Sequence, residues 1–120
     1  YEVPESDALW GLLHDAPEAY IADIVKPAKP YIKGYAAVED TIMGAICVKF
    51  DLPIYAPASV KKADCTVLAA EAEQIMKKPP ADWGLPFPAA DCTIQGLPPH
   101  EAYTLFMERF RELTGIYDFV

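Results

Sequence analysis

Residues 12–23 read LLHDAPEAYIAD, and the interpretation of the whole chain starts from this stretch. His14 and Asp15 place an imidazole and a carboxylate side by side, directly after apolar residues. Pro17 disfavours a helical conformation in the residue before it, so a first helix is expected to end near this pair. Proline also suits the first turn of a helix, and a new short helix is predicted for residues 16–23. The His-Asp pair is therefore expected at a junction between two helices.

Apolar residues recur every three to four positions through most of the chain, which is typical of amphipathic helices. Ser6 is the expected N-cap of the first helix. Three longer helices are predicted for residues 31–50, 57–76 and 99–114, and Gly115 is expected to end the last one. The pattern contains no internal repeat and no convincing strand, and it predicts an all-α fold.

The segment between the third and fourth long helices, residues 78–99, is rich in proline and glycine. Trp83, Leu85 and Phe87 are interspersed in it, and such side chains are costly to leave in water. The segment is therefore interpreted as ordered, irregular chain that lies over the core. With it, residues 1–120 are expected to form a single domain.

The composition limits the classes of protein to which the chain can belong. It has 120 residues, 52% hydrophobic and 23% charged, as expected for one globular domain. The chain contains no run of about 18 uninterrupted apolar residues, so a membrane span is not expected. The formal charge of −8 argues against nucleic-acid polymers as partners but not against a small anion. Three widely spaced cysteines indicate neither a disulfide framework nor a zinc site, so a cytoplasmic location is expected.

The residue types around the His-Asp pair suit a divalent metal. Neutral imidazole and carboxylate groups are deprotonated near neutral pH, as metal ligands must be. His14 and Asp15 can both reach one ion if the backbone turns between them. Asp64 lies four residues after Val60 and four before Leu68, so it is expected on the apolar face of its helix. Because burial of an unpaired carboxylate is costly, a cation or a strong donor should face it.

Simpler interpretations of the same residues remain open at this point. Asp15 followed by Glu18 is also a capping-box arrangement, which would only stabilise the start of a helix. A salt bridge to Lys61 could satisfy Asp64. His100 follows two prolines at a predicted helix start, and an exposed position is expected for it rather than a role as a ligand.

Two blocks of sequence carry a resemblance to a known family. LLHDAPEAYIADIVKP at residues 12–27, followed by VKKAD at residues 60–64, resembles the HD-domain phosphohydrolases. The chain is similar to small single-domain members such as bacterial 5′-deoxynucleotidases and phage deoxyadenosine triphosphate hydrolases. The resemblance covers most of the chain in helix order and implies an HD-type helical bundle.

The resemblance also implies roles for particular residues. Three of the family's four metal ligands have counterparts here: His14, Asp15 and Asp64. Glu18 matches the acid that activates or orients the attacking water, and Asp23 matches a second acid at the same site. Lys26 falls where a cation could meet a substrate phosphate. No histidine precedes His14, whereas the family's first ligand is an upstream histidine. Either the domain lacks its N-terminal helix or helices, which is the expectation, or the first ligand has been lost.

The implied activity is metal-dependent hydrolysis of a nucleotide phosphate ester, most closely of a (deoxy)nucleoside 5′-phosphate. Magnesium, manganese, cobalt and iron all suit such ligands, and the residues do not select among them. Members of the family often form homodimers, so a homodimer is expected. The alternative is a non-catalytic HD-type module for ligand sensing or dimerisation, with a degenerate metal site. The exposed aromatic residues Trp83 and Phe87 would then be its interface.

Overall fold

All regular secondary structure is helical in the computed structural model, which describes residues 2–78 and 82–118. The four α-helices are α1 (Ala8–Leu13), α2 (Tyr35–Lys49), α3 (Ala58–Gln74) and α4 (Pro99–Thr114). Three short 3₁₀ helices cover Glu5–Asp7, Ala16–Ala19 and Lys29–Tyr31. The all-α prediction is confirmed. None of the helices in the described ranges is long and apolar enough to cross a membrane.

The predicted bounds hold better for the last two helices than for the first two. Gly115 ends α4 in a left-handed conformation with φ of 69°, as expected. The second long helix begins at Tyr35 rather than at residue 31, because Gly34 has a φ of 84° and interrupts the helical path. Ser6 is not an N-cap, since it lies inside a 3₁₀ helix that runs into α1. The helix predicted for residues 16–23 is only the short 3₁₀ helix Ala16–Ala19.

The core lies where α1, α2 and α3 meet. Its buried residues are Trp10, Met43, Cys47 and Val60, and the side chain of Cys47 has no exposed surface. Half-buried apolar residues surround this group: Val3, Ile46, Leu52 and Ala56. Helix α4 packs against α1, and the buried Phe110 contacts the ring of Phe50 edge-to-face with 5.5 Å between ring centroids.

Trp10 connects the core to the loop after α2, because its indole Nε1–H donates a 2.8 Å hydrogen bond to the carbonyl of Pro53. Trp10→Phe removes this bond and part of a buried ring system. We expect it to lower the free energy of unfolding by about 1–3 kcal/mol, measured by chemical denaturation. Trp83→Phe is the matched control, and its effect should stay within about 0.5 kcal/mol, since Trp83 is 48% exposed. Equal effects of the two substitutions would contradict this view of the core.

The segment after α3 is attached to that helix by its backbone and by one side chain. The amide of Ala90 donates to the carbonyl of Thr66, and the side chain of Gln74 bonds both Cys92 and Ile94.

The expectation of an ordered segment laid on the helices is met in residues 82–97, while residues 79–81 lie outside the described part. The aromatic side chains of this segment are not removed from water as expected, because Trp83 and Phe87 remain 48% and 39% exposed.

Candidate functional site

His14 and Asp15 lie where the helical path of α1 ends. Helix α1 stops at Leu13, and Pro17 is buried within the 3₁₀ helix that follows. The two residues between these elements form a turn, with φ and ψ of −99° and 8° at Asp15. His14 keeps helical backbone angles, with φ and ψ of −58° and −33°, so the helical path ends at Asp15.

Helix α3 brings Asp64 to the same place. The hydroxyl of Ser59, at the start of α3, donates to a carboxylate oxygen of Asp7, just before α1. Nearby, Val60 packs beside Gly11 of α1. One turn further along α3, a carboxylate oxygen of Asp64 lies 3.7 Å from Nε2 of His14. The structure thus joins residues that are fifty positions apart in the sequence.

The imidazole of His14 is held at both ring nitrogens. Nδ1 lies 2.7 Å from the carbonyl oxygen of Gly11, which can only accept a hydrogen bond, so Nδ1 carries a proton. Nε2 faces carboxylate oxygens of Asp15 at 3.2 Å and of Asp64 at 3.7 Å. A neutral ring would direct its lone pair at these two negative groups. A cation between the three groups would remove this repulsion.

The side chains fit a divalent cation in ligand type and nearly in spacing. Ligand atoms around one ion are separated by roughly 3.0–3.4 Å, because each lies about 2.1 Å from the metal. The contact between His14 and Asp15 is within this range, whereas the 3.7 Å contact to Asp64 is slightly longer. Accordingly, no group of three or more His, Cys, Asp or Glu side chains in the described ranges is spaced so that it could hold a metal ion. The side chain of Asp64 is 57% exposed, so it has room to move closer to the imidazole.

The capping-box interpretation of Asp15 and Glu18 is wrong. Asp15 precedes the 3₁₀ helix, but its side chain makes no capping hydrogen bond. The amide of Glu18 bonds only the backbone carbonyl of Asp15. The carboxylate of Asp15 turns instead to His14.

Asp64 is not buried as the sequence pattern predicts. Its carboxylate was expected to be buried on the apolar face of α3, yet more than half of the side chain is exposed. Its ion-pair partner is His14 rather than Lys61. Asp64 therefore lies at the edge of the α1–α3 contact, where the cost of burial is small and the proximity to His14 remains.

Two further acidic residues, Glu18 and Asp23, follow the turn that carries His14 and Asp15. The pKa of Glu18 is raised above its ordinary value, chiefly because the carboxyl group is partly removed from water. The negative charges of Asp15 and Asp23, together with a hydrogen bond to the Asp23 side chain, raise the pKa further, and Lys29 opposes the shift. Asp23 thus lies close enough to Glu18 to affect the pKa of its carboxyl group.

The lysine near these acids is Lys29, which sequence reasoning missed. Its ammonium lies 3.2 Å from Glu39 of α2 and 5.5 Å from the centre of the Tyr35 ring. Burial alone would lower the pKa of Lys29, but the hydrogen bond and charge of Glu39 raise it above its ordinary value. Lys26, the predicted phosphate contact, lies exposed in the turn before Lys29, and its role stays a prediction.

The remaining histidine, His100, lies at the start of α4 with 80% of its side chain exposed, as expected. It is 3.9 Å from Glu101 and takes no part in the site.

A groove of about 950 Å³ leads to His14 and Asp64. It runs between α1, α3 and α4, and its apolar lining comes from residues such as Leu12, Val67 and Leu105. Arg109 lines it too, but bonds to Glu5 at 2.6 Å and to Glu112 at 3.0 Å occupy its guanidinium. The groove is mostly apolar with an acidic rim.

Two proteins are similar to this chain along most of its length. Uncharacterized protein YfdR from Escherichia coli (strain K12) is 36% identical over 117 residues, which cover 95% of this chain and 66% of the relative. Uncharacterized protein RCAP_rcc00048 from Rhodobacter capsulatus is 36% identical over 125 residues, which cover 89% of this chain and 62% of the relative. The chain therefore spans about two thirds of the length of these relatives. No protein-family model and no solved structure matches it.

Proposed function

We propose that the protein is a metal-dependent phosphohydrolase of the HD-domain type that acts on a nucleotide, most closely a (deoxy)nucleoside 5′-phosphate. One observation carries the proposal: Nε2 of His14 faces the carboxylates of both Asp15 and Asp64 while Nδ1 donates to a backbone carbonyl. Histidines that bind metal characteristically donate their other ring N–H to a carbonyl or carboxylate, which fixes the tautomer. This arrangement supports His14, Asp15 and Asp64 as ligands of a divalent cation.

The neighbouring acids supply the proton chemistry that hydrolysis needs. A divalent cation at His14 would neutralise charge on phosphoryl oxygens and lower the pKa of a coordinated water. Glu18, whose pKa is raised, is suited to accept or direct a proton near neutral pH. Asp23, whose charge helps to raise that pKa, is proposed to orient the carboxyl group. Lys26 is proposed as the cation that meets the substrate phosphate.

The groove beside the site supports a substrate with an apolar part. Its volume of about 950 Å³ lies at the upper end of the range typical of small-molecule sites, roughly 300–1,000 Å³. Glutamates at the rim, among them Glu108 and Glu112, disfavour an anion there. The base and sugar of a nucleotide therefore fit the groove, with the phosphate directed at His14. The free thiols of the described cysteines agree with the proposed cytoplasmic location.

The direct test is phosphate release from a panel of nucleotides by the full-length protein. Deoxynucleoside and ribonucleoside mono- and triphosphates would each be tested with magnesium, manganese, cobalt or iron(II). We expect turnover of 5′-phosphates that a chelator abolishes and a divalent metal restores. Absence of turnover with every metal, or turnover that resists chelation, would contradict the proposal.

The exposed apolar surface favours a second candidate, a dimerisation module without catalysis. The accessible surface is 9088 Å², whereas a folded monomer of 13.2 kDa exposes roughly 6,400 Å². The excess of roughly 2,700 Å² resembles what one partner buries in an obligate dimer. Trp83 and Phe87 are part of this surface. Light scattering distinguishes monomer from dimer, and a dimer that binds nucleotide without turnover would favour this candidate over hydrolysis.

A further inference from the structure

The loop that carries Asp23 is attached to α2 at two points. Residues 20–28 connect the 3₁₀ helices Ala16–Ala19 and Lys29–Tyr31. Near the start of this loop, the Tyr35 hydroxyl donates a 2.6 Å hydrogen bond to the carbonyl oxygen of Ala22. At its end, the ammonium of Lys29 donates a 3.2 Å hydrogen bond to Glu39. Asp23 lies between these two attachments.

Tyr35 takes part in both attachments. Its hydroxyl bonds Ala22, and the ammonium of Lys29 lies 5.5 Å from the centre of its ring. Its own backbone is well fixed, because Tyr35 is the first residue of α2 and Gly34 before it turns the chain through a left-handed conformation. A single half-buried side chain therefore contacts both ends of the loop.

The rest of the loop offers little else to hold Asp23 in place. Val25 is 72% exposed, and Lys26 and Pro27 are exposed as well. Ile21 and Ile24 are only half-buried, so the loop lacks a fully buried anchor and is expected to open easily. Asp23 nevertheless lies close enough to Glu18 to raise the pKa of that carboxyl group, and the bond at the preceding residue, Ala22, fixes the backbone beside it.

We propose that Tyr35 is a positioning residue, whose hydroxyl holds Ala22 and thereby keeps Asp23 against Glu18. The effect on turnover rests on the proposed hydrolase function, whereas the effect on the loop does not. Small displacements of groups that orient a reacting water reduce turnover strongly, so the hydroxyl matters for rate as well as for order. The groove that would hold the base and sugar does not include Tyr35, whereas Lys26, the proposed phosphate contact, lies on the same loop, so KM should rise less than kcat falls.

Tyr35→Phe tests this, because it removes the hydroxyl but keeps the ring beside Lys29. Tyr31→Phe is the matched control, since Tyr31 belongs to the 3₁₀ helix that follows the same loop and is 88% exposed. Both variants are made in the full-length protein. Hydrogen–deuterium exchange of residues 20–28 is measured alongside kcat and KM for nucleotide hydrolysis.

In Tyr35→Phe we expect exchange across residues 20–28 to accelerate roughly five- to tenfold, the ratio that corresponds to the loss of one such hydrogen bond. We expect kcat to fall roughly 10- to 100-fold with a smaller rise in KM. Tyr31→Phe should match the wild type in all three quantities. Unchanged exchange in Tyr35→Phe overturns the proposal, and so does faster exchange without a fall in kcat. If the wild type hydrolyses no nucleotide, the proposed function fails by itself, and the exchange data alone decide whether Tyr35 holds the loop.

Discussion

Replacing Asp64 with alanine is expected to remove bound metal and nucleotide hydrolysis together while leaving the helical fold unchanged. Asp64 is the proposed ligand from α3, and without it only His14 and Asp15, adjacent in one turn, would remain as proposed ligands. Residues that merely support metal ligands already change affinity by about 10–100-fold, so the loss of a ligand should cost at least about 100-fold in metal affinity and in turnover. Metal content by mass spectrometry and phosphate release measure the two effects.

Asp40→Ala provides the matched control for this substitution. Asp40 is also an exposed aspartate on a helix, but it lies on α2, outside the site. Its replacement should leave metal content and turnover unchanged. The unfolding free energies of both variants should stay within about 0.5 kcal/mol of the wild type, because each removes an exposed side chain. Retention of both metal and turnover in Asp64→Ala would show that the assignment of the site is wrong.

Glu18→Gln is expected to abolish most turnover without reducing metal binding. The substitution keeps the shape of the side chain and removes its ability to accept a proton, which typically costs about 10²- to 10⁴-fold in rate. Metal content should persist, since the proposed ligands are unchanged. Glu73→Gln on α3 is the matched control, because Glu73 is exposed and lies outside the site. Equal rates for the two variants would remove Glu18 from the mechanism.

The same variant has a predictable effect on stability against pH in the chelator-treated protein. Folding raises the pKa of Glu18, so the folded state binds this proton more tightly than the unfolded state does. The resulting stabilisation is present at acidic pH and is lost as the pH rises through the folded-state pKa. Glutamine carries no such proton, and its amide can donate to Asp23. Glu18→Gln should therefore be at least as stable as the wild type at neutral pH, measured by thermal unfolding, and a lower stability would contradict the raised pKa.

The longer helices could be predicted from the sequence because their ends have clear chemical signals. Proline marks the starts of α3 and α4, and Gly115 marks the end of α4. The apolar residues of α4 recur at helical spacing but are only partly buried: Phe110 is in the core, whereas Tyr103 is 67% exposed. Periodicity identifies the apolar side of a helix, but burial depends on whether another element covers that side along its whole length.

The candidate site was predictable only in part. Pro17 indicates a turn at His14 and Asp15 from local chemistry alone. The pairing of Asp64 with His14 follows from the resemblance of two sequence blocks to a known family. Burial of the Asp64 carboxylate, which the helical spacing predicts, is not found. Lys29 and Tyr35 were missed because their partners, Glu39 and Ala22, lie ten and thirteen residues away. Contacts across a loop of this kind have no periodic signal, since the path of the loop decides them.

The complete burial of Cys47 makes this thiol an internal reporter of domain opening. Burial raises its pKa, so the reactive thiolate is scarce as long as the core stays closed. An alkylating reagent can reach the sulfur only in molecules whose helices have separated. The rate of Cys47 modification therefore reports how often the domain opens under native conditions. The half-buried Cys65 and Cys92 provide the comparison.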